Sequence, residues 1–190
     1  LTTGDDNTAI GNSTLGANIT GNNNTAVGRL ALAANTTASN NVSVGQTSLM
    51  ANTTGSNLTV VGTAAGRFNT TGANNTFLGQ NAGHANTTGT QNTAVGQAAL
   101  DAVTTTSFHT AVGYTALGAN TSGVGNTAVG HGSLVANTTG GSNNAFGAAS
   151  LDANISGNAN HAFGQNALGA NTTASNSAAF GNTTMASNTT

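Results

Sequence analysis

The sequence predicts an all-β protein of the parallel β-solenoid class (β-helix or β-roll), and three observations carry that prediction. Glycine recurs every seventeen residues without insertion or deletion, at Gly11, Gly28, Gly45, Gly62, Gly79, Gly96, Gly113, Gly130, Gly147, Gly164 and Gly181. Bulky apolar residues hold two fixed positions relative to that glycine. A strand-like alternation leads into each glycine, and a turn-forming stretch such as Asn86-Thr87-Thr88-Gly89 follows it. A strict period of this size is the signature of a repeat array, in which each unit stacks on its neighbours. One domain over residues 1–190 follows: a partial coil 1–10, ten full repeats over 11–180 and a partial coil 181–190. About eleven coils stacked at ~4.8 Å would form a rod roughly 50 Å long.

Composition narrows the function classes. Only 3% of the 190 residues are charged and 4% are aromatic, and Pro, Cys and Trp are absent. Such bias suggests disorder, but the apolar residues keep strict register, which disordered chains do not. Arg29 and Arg67 are the whole basic complement. Two cations cannot neutralise a run of phosphates, so no nucleic-acid partner is expected. No apolar run approaches the ~18 residues of a membrane span, and no membrane insertion is expected. Both ends fall inside a repeat, which suggests a processed chain or an excerpt of a longer array.

Each element of the coil has a reading. The residue before each glycine (Val27, Val44, Val61, Val95, Val112, Val129, Phe146, Phe163, Phe180) and the residue four places after it (Leu32, Leu49, Leu100, Leu117, Leu134, Leu151, Leu168) are the expected core columns. Where the Leu column becomes Gly66, a bulky Phe68 stands two places on, and the pair reads as compensation between two inward positions. Alternation then sends the intervening small column outward, through Ala26, Val60, Phe77, Ala94, Ala111, Ala128 and Ala145. That column is either a thin solvated sheet face or a subunit seam along which two solenoids approach closely. The Asn-Thr-Thr segment reads as a corner stabilised by stacked asparagine amides. A second asparagine column (Asn7, Asn24, Asn41, Asn75, Asn92, Asn126, Asn143, Asn160) serves another corner.

The chemistry-bearing residues are sparse. Asp101 and Asp152 share a repeat position but lie three coils apart, ~14 Å at the stacking distance. The four histidines, His84, His109, His131 and His161, hold four different repeat positions, so no zinc cluster is expected. No nucleophile–base spacing stands out among the many Ser and Thr. Neither an enzyme nor a cofactor is expected. The corner asparagines also match the N-glycosylation pattern, at Asn18, Asn35, Asn52, Asn69, Asn86, Asn120, Asn137, Asn154, Asn171 and Asn188. The alternative is structural, with the hydroxyl two places on closing the turn. The same Thr row, including Thr88 and Thr139, admits an ice-binding reading.

The units Asn126-Thr-Ala-Val-Gly130, followed by Leu134, and Ala136-Asn-Thr-Thr-Gly140 resemble seventeen-residue repeats of bacterial and phage fibre proteins. Such proteins often carry an intramolecular-chaperone domain of the peptidase S74 type. The repeat is also similar to the head repeats of trimeric autotransporter adhesins, enlarged here by three residues per coil. This resemblance implies a left-handed β-roll in an extracellular setting, on a cell or virion surface. It further implies a homo-oligomeric fibre, adhesin stalk or tail fibre, self-associating end to end or side by side. A host-surface receptor or glycans would be its outside partners. The competing expectations are an ice-binding solenoid and a glycan-coated structural fibril.

Overall fold

A computed structural model describes residues 3–187 and 189. The described chain is a parallel β-solenoid with one short strand per coil and no helix. The strands are β1 (Thr8–Ile10), β2 (Thr25–Val27), β3 (Val42–Val44), β4 (Thr59–Val61), β5 (Thr76–Leu78), β6 (Thr93–Val95), β7 (Thr110–Val112), β8 (Thr127–Val129), β9 (Asn144–Phe146), β10 (His161–Phe163) and β11 (Ala178–Phe180). They form one sheet in sequence order, each pairing in parallel with the next and always seventeen residues out of step. Like therefore stacks on like, Thr93 on Thr110 and Val95 on Val112.

The turn glycine is required by the stacking. At Gly96 φ is 129°, and an added Cβ would stand 2.5 Å from the Gly113 carbonyl oxygen of the next coil. Only glycine satisfies both conditions. Three residues after it the chain turns inward with two neighbours buried together, as at Ala99 and Leu100. The leucines there adopt a left-handed backbone, with φ of 49° at Leu32 and 56° at Leu100. That conformation costs about 1–2 kcal/mol for a side chain with a Cβ. Complete burial of a leucine returns about 1.5–3 kcal/mol, so burial wins.

Orientation across the strand is opposite to the sequence expectation. The small central column is inside: Ala26, Val60, Phe77, Ala94, Ala111, Ala128 and Ala145 are all 0% exposed. It cannot serve as a seam. The column beside the glycine faces outward instead. Val27, Val44, Val95, Val112 and Val129 are half-buried, and Val61, Phe146, Phe163 and Phe180 are exposed. The cause is the cross-section. Each strand has three residues, of which only the middle one points in, and it meets the buried Leu and Ala of the same coil across a thin interior. A methyl group fits that gap; a row of valines does not. Leu32, Leu49, Leu100, Leu117, Leu134, Leu151 and Leu168 are buried.

The compensating aromatic is Phe77, not Phe68. Phe68 is 43% exposed. A Cβ added at Gly66 would lie 3.0 Å from the Phe77 ring, and one at Gly83 only 2.6 Å away. Two successive leucines are thus exchanged for glycine so that one phenylalanine can fill the space between rungs.

Both asparagine columns lie in the interior rather than at solvated corners. In the first, the amides of Asn35, Asn52, Asn69, Asn86, Asn137, Asn154 and Asn171 donate to the asparagine one coil earlier and to a backbone oxygen three places on. Asn137 Nδ2 reaches Asn120 Oδ1 and Gly140 O, each at 2.9 Å. In the second, each amide oxygen accepts the backbone N–H of the next coil, as Asn126 Oδ1 does from Asn143 at 2.9 Å. Its Nδ2 donates to Gly140 O at 2.8 Å. The thin interior leaves backbone groups that strands would otherwise pair, and the amides satisfy them.

Candidate interaction surfaces

The sheet presents two outward columns. One is apolar and runs from Ile10 through the valines to Phe180, over all eleven strands. Its last three rungs are aromatic, and Phe146, Phe163 and Phe180 stack face to face with centroids 4.9 and 5.0 Å apart. The other column is largely threonine. The hydroxyls of Thr25, Thr59, Thr76, Thr93, Thr110 and Thr127 make no hydrogen bond within the described residues. The Thr row after the corner asparagine behaves differently. Thr36, Thr53, Thr70 and Thr87 donate their hydroxyls to backbone oxygens one coil on, at 2.8–3.1 Å. Thr88 and Thr139, one residue further, are exposed.

The glycosylation pattern loses its chemical meaning in this fold. Asn35, Asn52, Asn69, Asn86, Asn120, Asn137, Asn154 and Asn171 are 0% exposed, and Asn18 is 2% exposed. Their Nδ2 groups donate inward to the ladder and to the turn carbonyl, as at Asn52 and Asn154. A glycan on that nitrogen would replace a hydrogen already in use and place a sugar in a closed interior. The glycan-coated fibril is therefore overturned for these positions; Asn188 lies outside the described residues.

One coil departs from the ladder. Val103, Thr106 and His109 replace Asn, Gly and Asn at three inward positions of the same turn. The His109 ring is 1% exposed and meets Thr106 Oγ1 at 3.0 Å through Nε2. Its Nδ1 accepts the Asn126 N–H at 3.3 Å, as the amide oxygens do elsewhere in the column. Burial holds the imidazole neutral, lowering its pKa from 6.5 to about 4. Where Val103 follows Asn86, the Asn86 Oδ1 is left without a hydrogen-bond partner.

The remaining cluster lies on a different edge. Arg67, His84 and Asp101 are separated by seventeen residues each, so they occupy one repeat position on three consecutive rungs. The Arg67 guanidinium lies 5.4 Å from the Phe68 ring centre, and the Phe68 and His84 rings meet edge to face at 4.9 Å. His84 Nδ1 stands 3.7 Å from Asp101 Oδ1. Burial raises the Asp101 carboxyl above its usual value, with His84 opposing, and burial likewise raises Asp152. Their seventeen-residue spacing is the sequence signal that joins them, and it becomes a cluster only when the coils are superposed. Among the described residues no three potential metal ligands come together, and no helix is long and apolar enough to cross a membrane.

No family model matches this chain, and no significant match exists among curated proteins or solved structures.

Proposed function

We propose that this chain is a structural repeat segment of an extracellular fibre, adhesin or tail fibre whose solenoids associate side by side through the outward valine–phenylalanine column. The supporting observation is that column itself: a continuous apolar strip on an in-register sheet, half-buried at Val95, Val112 and Val129 and 37–39% exposed at Val61, Phe146 and Phe163. A formal net charge of −2 offers little repulsion against pairing. Magnitude matters here. Rungs ~4.8 Å apart and a strand width of ~10 Å give a face on the order of 500 Å². A stable interface needs about 800 Å² per partner. One segment therefore pairs weakly, and affinity rises with coil number in a longer array.

Sedimentation equilibrium across a concentration series tests this. The double variant Val95→Lys, Val129→Lys should lower the association constant at least tenfold while the melting temperature moves by a few degrees at most. Unchanged association would remove the sheet face from the proposal. A second reading draws on the unpaired hydroxyls of Thr93, Thr110 and their column, which stand at the rung repeat where an ice lattice could meet them. Thermal hysteresis that vanishes in Thr93→Lys, without any change in association, would favour that reading.

A further inference from the structure

We propose that the edge bearing Arg67, His84 and Asp101 is a self-recognition surface that pairs two copies of this chain antiparallel, with a twofold axis at the His84 rung. It is a different face from the sheet and does not rest on the sheet-face reading. Charge is the first observation. Only six side chains in the chain are Asp, Glu, Lys or Arg, yet one cation and one anion stand one rung either side of His84 in a single column. They lie two rungs apart, ~10 Å at the parallel-sheet spacing, which is too far to pair within the chain. Arg67 has no carboxylate within ion-pair distance among the described residues, and the Asp101 side chain, 43% exposed, has only the His84 ring at 3.7 Å.

A twofold axis crossing the rod at His84 brings each column face to face with itself in reverse order. Arg67 then meets the second copy's Asp101, and Asp101 meets its Arg67, giving two ion pairs from one contact. Shape agrees with charge. The next pair outward sets Met50 against Gly118, and the one beyond sets Ala33 against Val135, large against small in both cases. In the neighbouring column every residue from Ala17 to Ala170 is alanine except Phe68, whose ring falls opposite Ala102. Asp152 falls opposite Gly16, where no side chain meets it. Parallel pairing about the rod axis sets Arg67 against Arg67 and Asp101 against Asp101, which like-charge repulsion disfavours. Sliding the antiparallel pair by one rung loses both ion pairs; a three-rung slide would set Arg67 against Asp152 but leave Asp101 opposite Gly118, so the response to Asp101→Arg distinguishes the two registers. The Phe68 ring beneath the guanidinium holds the cation in place for its partner.

Charge reversal tests the proposal on the intact chain, with native mass spectrometry and one variant isotope-labelled. Arg67→Asp alone and Asp101→Arg alone should each lose dimer at least tenfold, with melting curves confirming the fold. An equimolar mixture of the two should form heterodimers at the wild-type level, because every reversed charge then finds its opposite. The double variant R67D/D101R should likewise regain a homodimer. Single reversals that dimerise like the wild type, or a mixture that stays monomeric, would overturn the antiparallel pair. If R67D changes nothing while the valine-to-lysine variant disperses the protein, the sheet face stands and this edge does not.

Discussion

His109 takes an asparagine's place in a column of amides and is the one buried histidine of the described chain, so it couples folding to pH. Its folded pKa of about 4 lies below the unfolded value near 6.5. Above about pH 6.5 both states are neutral and the ring has no pH effect. Between there and about pH 4 the unfolded chain takes up a proton that the folded chain refuses, and stability falls by up to ~1.4 kcal/mol per pH unit. Asp101 and Asp152, raised by burial, act in the opposite sense. Urea unfolding at pH 7 and pH 4.5 should therefore show a larger acid loss for wild type than for His109→Asn, which restores the column's usual residue. Equal losses would mean that the ring is not desolvated. Nothing in the sequence disclosed that burial, because a single histidine departing from an asparagine column looks the same inside as out.

At the scale of the coil, the asparagine columns are the part whose function was least legible. The sequence makes their periodicity plain, and stacked amides follow from it. Their direction does not, because a polar residue is ordinarily assigned to the surface. The geometry reverses this: one three-residue strand per coil leaves many backbone groups unpaired in the interior, and amides carry both the donor and the acceptor needed there. Asn137→Ala removes two donated hydrogen bonds and an acceptor for Asn154. The loss should be about 2–4 kcal/mol, from partners stranded in a dry interior, read as a drop in the urea midpoint. A loss below 0.5 kcal/mol would show that water reaches the ladder. The strand parity failed for a related reason. Val95 and Ala94 are adjacent, bulk argued for the valine inside, and a cross-section too thin for it decided otherwise. Phe77 carried the correcting clue, since it falls beside the two glycines Gly66 and Gly83 rather than beside leucines.

Across the whole molecule, the period was legible from glycines alone, and with it the parallel sheet and the count of strands. Because every coil makes the same contacts with its neighbours, a unit of one full period is removable. Deleting residues 114–130, which joins Gly113 to His131, should leave a folded, slightly shorter rod melting within a few degrees of the parent. Deleting 114–122 instead leaves one coil of eight residues, too short to reach round to the next rung, and should open the rod to limited proteolysis at that junction. Protease resistance at the junction would mean that a coil does not need its full period to stack. The interaction surfaces were harder to see, because each is a departure of one residue per coil and becomes a surface only when coils are superposed.

The same equivalence between coils creates a hazard during assembly. A chain whose rungs are interchangeable can dock a coil one place early or late and still bury leucine on leucine and pair amide with amide. Two irregular zones remove that freedom. Phe77 finds room only beside Gly66 and Gly83, and on any other rung it would collide with a leucine. Some thirty residues on, the His109 ring is held between Thr106 and the Asn126 N–H, and Val103 interrupts the amide ladder. These coils act as index marks on an otherwise uniform ruler, and the odd residues of this repeat are what allow it to count.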